Sequence, residues 1–343
     1  MQVDWALAAR IARGAAGDPP PSVAPAGLTE RAEAAREQIV AATGLVPAGP
    51  LPPAEWVDRG AWIDANLATM RATLAPVLGG EVASSGPAAL QAAAGAVVAA
   101  ELGGLIGMFS RRVLGQYELS LTDPDAPARL LLVGPNLDKA ATELGADHEE
   151  VVTWVTLHEV THAVQFGAVE WLRPRLGGAL QELLAAMDVK PDPRALLKLD
   201  VDDLKALAGS VREGGLLGAV MGPERKAVLD RVQGTMGMVE GHAEWAMDRA
   251  GSEVLDDVDG LRAAMDRRRE DRAPVWRIFD RLLGFDLKLK QYTQGRIFCD
   301  AIVFARGEDG LRDAWAAPEL APTSAELADP AAWLRRTAPS AAA

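Results

Sequence analysis

A chain of 343 residues, 49% hydrophobic and 24% charged, has globular composition, with apolar material for one large core or two modest ones. Its 48 acidic residues outnumber the 35 basic ones, for a net charge of -13, so a phosphate backbone would meet repulsion and nucleic acid is not expected as a partner. The single cysteine, Cys299, can form neither an intrachain disulfide nor a thiolate cage; a cytoplasmic location is expected, and any metal must be held by imidazoles and carboxylates.

The opening MQVDWALAARIARG carries Asp4 where a secretory signal carries positive charge, and Arg10 interrupts its apolar residues, so export is not expected. Residues Gly17 to Gly27 (GDPPPSVAPAG) cannot sustain a helix, because each proline removes a donor and restricts the residue before it; they read as a linker or wrapping arm. A second break at Val46 to Pro53 precedes a helical pattern from Glu55 to Leu78, with Trp56, Trp62, Leu67, Met70 and Leu74 at three- and four-residue spacing. Ala88 to Met108 is rich in Ala, Gly, Val and Leu but contains Gln91 and Glu101. It is expected to pack tightly inside a helix pair, without stable membrane insertion. Arg129 to Val133 (RLLLV), short, apolar and bounded by Pro127 and Pro135, is the best strand candidate.

From Asp147 the string DHEEVVTWVTLHEVTHAVQF has a helix start, with Asp147 able to cap, Glu150 three residues later and acids at the positive end of the dipole. Further helical patterns run at Arg175 to Met187, Arg194 to Leu207, Glu224 to Arg249, Val258 to Arg269, Pro274 to Leu283 and Leu287 to Arg306. The Ala-rich end after Asp313, punctuated by Pro318, Pro322, Pro330 and Pro339, reads as a loosely packed tail. The glycine pairs at Gly79, Gly103 and Gly214 lack a phosphate-loop signature.

The chemistry concentrates at His158-Glu159-Val160-Thr161-His162. Four residues rotate about 400° around a helix, so both imidazoles project from one face and can grip one zinc ion. Glu159, on the flank of that face, can take a proton from a water acidified by the metal. The chain has only 4 histidines, and three of them, His148, His158 and His162, fall in this one segment. His148, near the helix start, reads as a solvated or capping residue.

A catalytic zinc site needs three protein ligands and an open position, and the third ligand must be sought where another histidine and acids cluster. The place is MVEGHAEWAMD, residues Met238 to Asp248. Glu240, Glu244 and Asp248 share one helix face and His242 points elsewhere; one carboxylate can bind metal while the next orients a histidine. An oxyanion formed during hydrolysis needs a donor, and the two tyrosines are Tyr117 and Tyr292. Tyr292 lies among Lys288, Lys290 and Arg296. Each tyrosine also has a plain reading as a half-buried aromatic.

HEVTHAVQF followed by VEGHAEWAMD resembles the zincin metallopeptidases of the gluzincin type, whose third ligand is a Glu on a later helix. The string Glu240-Gly241-His242-Ala243 is similar to the Asn-Glu-Gly segment of the M1 aminopeptidases, and that resemblance implies Glu240 as the ligand. The 78 positions from His162 to Glu240 exceed the M1 spacing. A competing resemblance, to the ExxxD pattern of thermolysin-like gluzincins, would use Glu244 with Asp248 behind it, and His242 is the remaining candidate for the third ligand. Over most of its length the chain resembles DUF2342, an actinobacterial zincin-like family described as zinc-dependent metallopeptidases or hydrolases and sometimes linked to coenzyme F420 biosynthesis. The shared strings are Gly115-Gln116-Tyr117-Glu118-Leu119, HEVTHAVQF, EGHAEWAMD and Lys290-Gln291-Tyr292-Thr293-Gln294-Gly295 with Phe298.

The expectation is therefore a mainly α, zincin-like fold (α+β) with a small β element. Its parts are a helical N-terminal portion (1–130), a metal-binding portion (131–320) and a tail (321–343). The expected function is hydrolysis of a peptide or small amide substrate with Zn2+ held by His158, His162 and Glu240, Glu159 as general base, and Tyr292 as a candidate oxyanion donor. The alternative is a zincin-shaped binding or scaffold protein without turnover.

Overall fold

The computed structural model describes residues 3–78, 88–187, 223–270 and 290–338. The helical patterns at Arg194 to Leu207 and Pro274 to Leu283 lie outside the described residues. The fold is mainly helical with one small sheet, and the chain divides into two compact units. The first is Met1–Ala168 with Arg249–Asp256; the second is Val169–Asp248 with Asp257–Ala343. The division at Ala168 falls inside the portion expected to run from 131 to 320.

In the first unit, α1 (Trp5–Ala16) starts where Asp4 accepts the Leu7 N–H, and it ends at Gly17. The proline arm follows, bounded by Gly17 and Gly27, whose φ angles of 67° and 70° lie in the left-handed region that favours glycine. Then come α2 (Leu28–Thr43), β1 (Ala54–Val57), α3 (Arg59–Leu78), α4 (Ala88–Ser110), β2 (Gly115–Glu118), β3 (Arg129–Val133), α5 (Gly134–Leu144) and α6 (His148–Ala168).

The strand order is β1-β3-β2, with β3 parallel to β1 and antiparallel to β2. The expected strand RLLLV is thus the central one, and Leu130, Leu131, Leu132 and Val133 are completely buried, as a strand covered on both sides requires. The sequence pattern ran the third helix back to Glu55, but residues 54–57 are β1. There the Glu55 carboxylate takes two hydrogen bonds from Arg129, at 2.9 and 2.6 Å, and Asp58 caps α3 through the Ala61 N–H at 2.7 Å. Pairing with β3 overrides the local helical spacing. The Arg129 hydrogen bond holds the Glu55 carboxyl below its ordinary range, against the opposing effect of burial.

The apolar stretch expected in a tight helix pair is α4, packed on α1. A Cβ added at Gly103 would lie 2.5 Å from the Ala8 carbonyl oxygen, and one at Gly107 would lie 2.4 Å from that of Ala12, so the helices meet backbone to backbone. No helix among the described residues is long and apolar enough to cross a membrane.

The second unit contains α7 (Leu172–Met187), α8 (Pro223–Gly251, in this unit up to Asp248), α9 (Val258–Glu270), α10 (Lys290–Ala316, kinked at Gly307), α11 (Ser324–Ala328) and α12 (Pro330–Arg336). Helices α8 and α10 cross at glycines: a Cβ on Gly241 would fall 2.1 Å from the Gly295 carbonyl carbon, and one on Gly295 would fall 2.0 Å from the Gly237 oxygen. The end expected to be a loose tail is packed where it is described. Trp333 is fully buried and donates to the Leu320 carbonyl at 2.7 Å, its ring edge-on to Phe298. Thr323 and Glu326 form a capping box, and Glu326 receives Arg336 at 2.6 Å. A buried indole and a paired buried carboxylate outweigh the Ala- and Pro-rich composition.

Candidate metal centre

Helix α6 begins as its sequence indicates. Asp147 accepts the Glu150 N–H at 3.1 Å, while the Glu150 carboxylate, instead of closing a capping box, accepts the Asp256 N–H at 3.0 Å. Val151, Val152, Leu157, Val160 and Val164 are completely buried, so the helix is locked on its apolar sides and its histidines project from a fixed frame.

His158 and His162 lie one turn apart with rings 4.6 Å between centroids and nearly perpendicular. Their Nε2 atoms face each other at 3.2 Å. Two nitrogens each ~2.0–2.1 Å from one tetrahedral ion lie about 3.3 Å apart, so the imidazole pair has the separation of a shared zinc ligand set. The Gln165 Oε1 lies 3.0 Å from His162 Nδ1. With that oxygen accepting, Nδ1 carries the proton and Nε2 presents its lone pair. Sequence reasoning missed Gln165, although its place three residues beyond His162 in HEVTHAVQF was a usable signal.

Glu159 is buried, 7% exposed, and its Oε2 accepts the backbone N–H of Tyr117 at 2.8 Å. The strand approaches this closely because of Gly115, where a Cβ would stand 2.7 Å from Glu159 Cγ and 2.8 Å from Val155 Cγ1. The Tyr117 ring is half-buried against Phe166. The residue's tie to Glu159 runs through its main chain, which side-chain reasoning did not foresee.

Glu240 stands on α8 next to Gly241, the residue that lets α10 approach. Among the described residues His158, His162 and Glu240 each offer one ligand atom, all within 4.8 Å of one another. Two imidazoles and a carboxylate are one of the donor sets zinc takes at catalytic centres. His242 is 1% exposed, its ring stacked on Trp245 and edge-on to Trp315, an aromatic packing role. Asp248, the candidate partner behind Glu244, is ion-paired with Arg262 and with Arg296, the latter at 3.0 Å. The side chains of Tyr292 and Lys290, and all of Lys288, lie outside the described residues.

His148 holds Asp138 at 2.9 Å, with its ring edge-on to Trp56, which joins the start of α6 to α5. Cys299 is completely buried, and burial pushes its thiol well above the ordinary range, so it behaves as a small apolar residue.

No curated protein matches the chain. A crystal structure of a protein assigned as a hydrolase with a novel fold, from Chloroflexus aurantiacus, is similar to it at 27% identity and a TM-score of 0.72, over 97% of this chain and 98% of that one. The model of the zincin-like metallopeptidases matches residues 3–334, nearly the whole length, and the chain belongs to that family.

Proposed function

We propose that the protein is a zinc-dependent hydrolase of peptide or amide bonds. The observation that carries this reading is the 3.2 Å approach of the His158 and His162 Nε2 atoms, with Glu240 as the third donor of the cluster. Family membership and the likeness to a protein assigned as a hydrolase support it.

His158, His162 and Glu240 would hold the metal, with Gln165 fixing the tautomer of His162. Zinc bound there supplies Lewis acidity, which acidifies water and polarises a carbonyl. Glu159 accepts the proton of the attacking water and returns it to the leaving nitrogen; the Tyr117 N–H anchors its carboxylate, so little reorganisation accompanies the transfer. Tyr292 is the candidate donor to the oxyanion.

Protein purified without a histidine tag is expected to contain stoichiometric zinc, and the His158→Ala, His162→Ala double variant to contain none. Against a broad peptide library, Glu159→Gln is expected to lose at least about 100-fold in rate with its zinc retained. Zinc retained by the double variant would remove the ligand assignment. Cleavage unchanged in Glu159→Gln would remove the base, and wild-type protein that binds zinc and cleaves nothing would favour a binding role.

A further inference from the structure

Away from the histidine pair, the first unit carries a half-open pocket of about 540 Å3, within the size range of small-molecule sites. Trp56, Ile63 and Ala16 form part of its wall, Pro20 and Ser22 of the proline arm another part, and Arg59 a third.

Arg59 is only 9% exposed. Its Nε donates to Asn136 Oδ1 at 2.8 Å and its Nη1 to the Ala16 carbonyl at 2.7 Å. Asn136 is completely buried and is fixed in turn by donating to the Ser110 and Val113 carbonyls at 2.8 and 2.7 Å. The guanidinium is thus aimed by a chain of hydrogen bonds that uses only neutral acceptors. Among the described residues no carboxylate is ion-paired with it and its Nη2 makes no hydrogen bond.

Arginine is seldom buried this deeply without an anionic partner. Burial and the nearby charge of Arg111 both act against its protonated form, which an anion would relieve. The acids at the cavity do not fill that place. Asp58 and Asp18 are exposed, and Asp58 is occupied by the first turn of α3. Arg13, also at the wall, is paired with Asp64 at 2.5 Å.

We propose that this cavity binds the carboxylate of a small organic acid, with Arg59 as its counter-ion and Trp56 and Ile63 against its apolar body. A planar guanidinium suits a carboxylate, and the indole and aliphatic wall favour an acid with an aromatic or aliphatic substituent over a bare ion.

The test is calorimetric titration with N-acetylphenylalanine, N-acetylphenylalanine amide and inorganic phosphate. Each is run on untreated and chelator-treated protein, so that capture of a carboxylate at the histidine pair is separated from binding here. The acid is expected to bind in both preparations at least tenfold more tightly than the amide or phosphate. Arg59→Met is expected to lose that preference. Should that variant fold poorly, Arg59→Lys, which keeps the charge and loses the planar fork, is expected to weaken the acid severalfold while the amide stays unchanged. Equal binding of acid and amide, binding that disappears on chelation, binding of phosphate alone, no binding, or an unaltered preference in a folded Arg59 variant would each overturn the proposal.

Discussion

Glu159 on α6 and Tyr117 on the edge strand β2 are joined by a 2.8 Å hydrogen bond from the strand's N–H to the carboxylate. Gly115, two residues earlier, makes room for it. Gly115→Ala places a methyl carbon 2.7 Å from Glu159 Cγ, inside van der Waals contact with a buried neighbour. The variant is expected to lose about 1–3 kcal/mol of stability by overpacking and, in any hydrolytic assay, to fall further in kcat than in KM. Denaturant unfolding and steady-state kinetics check it; an unchanged midpoint with unchanged kcat would show that the strand does not set the carboxylate.

Gln165 tests whether the histidine needs its support. Gln165→Leu removes the acceptor 3.0 Å from His162 Nδ1 and leaves the side-chain size roughly intact. Loss of such a partner lowers metal affinity by about 10–100-fold, a shift that competition with a zinc-binding dye would read directly. Affinity equal to wild type would mean that His162 is oriented by packing alone.

The α1–α4 pair offers a controlled comparison within one helix. Gly107→Ala drives a methyl carbon to 2.4 Å from the Ala12 carbonyl oxygen, whereas a Cβ at Gly104 meets nothing within 4 Å. Gly104→Ala is expected to stabilise by about 0.5–1 kcal/mol through helix propensity, and Gly107→Ala to destabilise. Thermal melts that moved in the same direction for both would contradict the backbone-to-backbone packing.

Acid should loosen the C-terminal region through Glu326. Burial alone would raise its carboxyl, but the hydrogen bonds from Arg336 and from the Thr323 N–H outweigh that and hold it below the ordinary value. For a lowered carboxyl, the stabilisation is fully present above the unfolded-state pKa, about 4.3, and fades as pH falls through the folded value. The melting-temperature difference between wild type and Glu326→Gln should therefore be constant from pH 6 to 8 and shrink below about pH 4.5. A difference that grew on acidification would reverse the assigned sign.

Much of the fold and of the candidate centre was legible in the sequence, for a local reason. The four-residue step between His158 and His162 fixes two side chains on one face of any helix, and that helix carries its own start signal at Asp147. The central strand RLLLV was legible because it is apolar throughout and bounded by prolines. Glu55 to Val57 was not, because residues at helical spacing joined a strand once Arg129 and β3 offered partners. The end of the chain misled in the same way: Ala and Pro say little about packing, and the buried Trp333 decides it.

Which residue types are available for metal and proton chemistry is legible before any folding, because scarce histidines at a helical interval leave few alternatives. Packing brings the Tyr117 main-chain N–H to Glu159, turns Gln165 toward His162, and buries Arg59 with no carboxylate paired to it among the described residues. Those contacts join groups whose meeting depends on how strands and helices pack, and a main-chain donor has no signature in the identity of its residue.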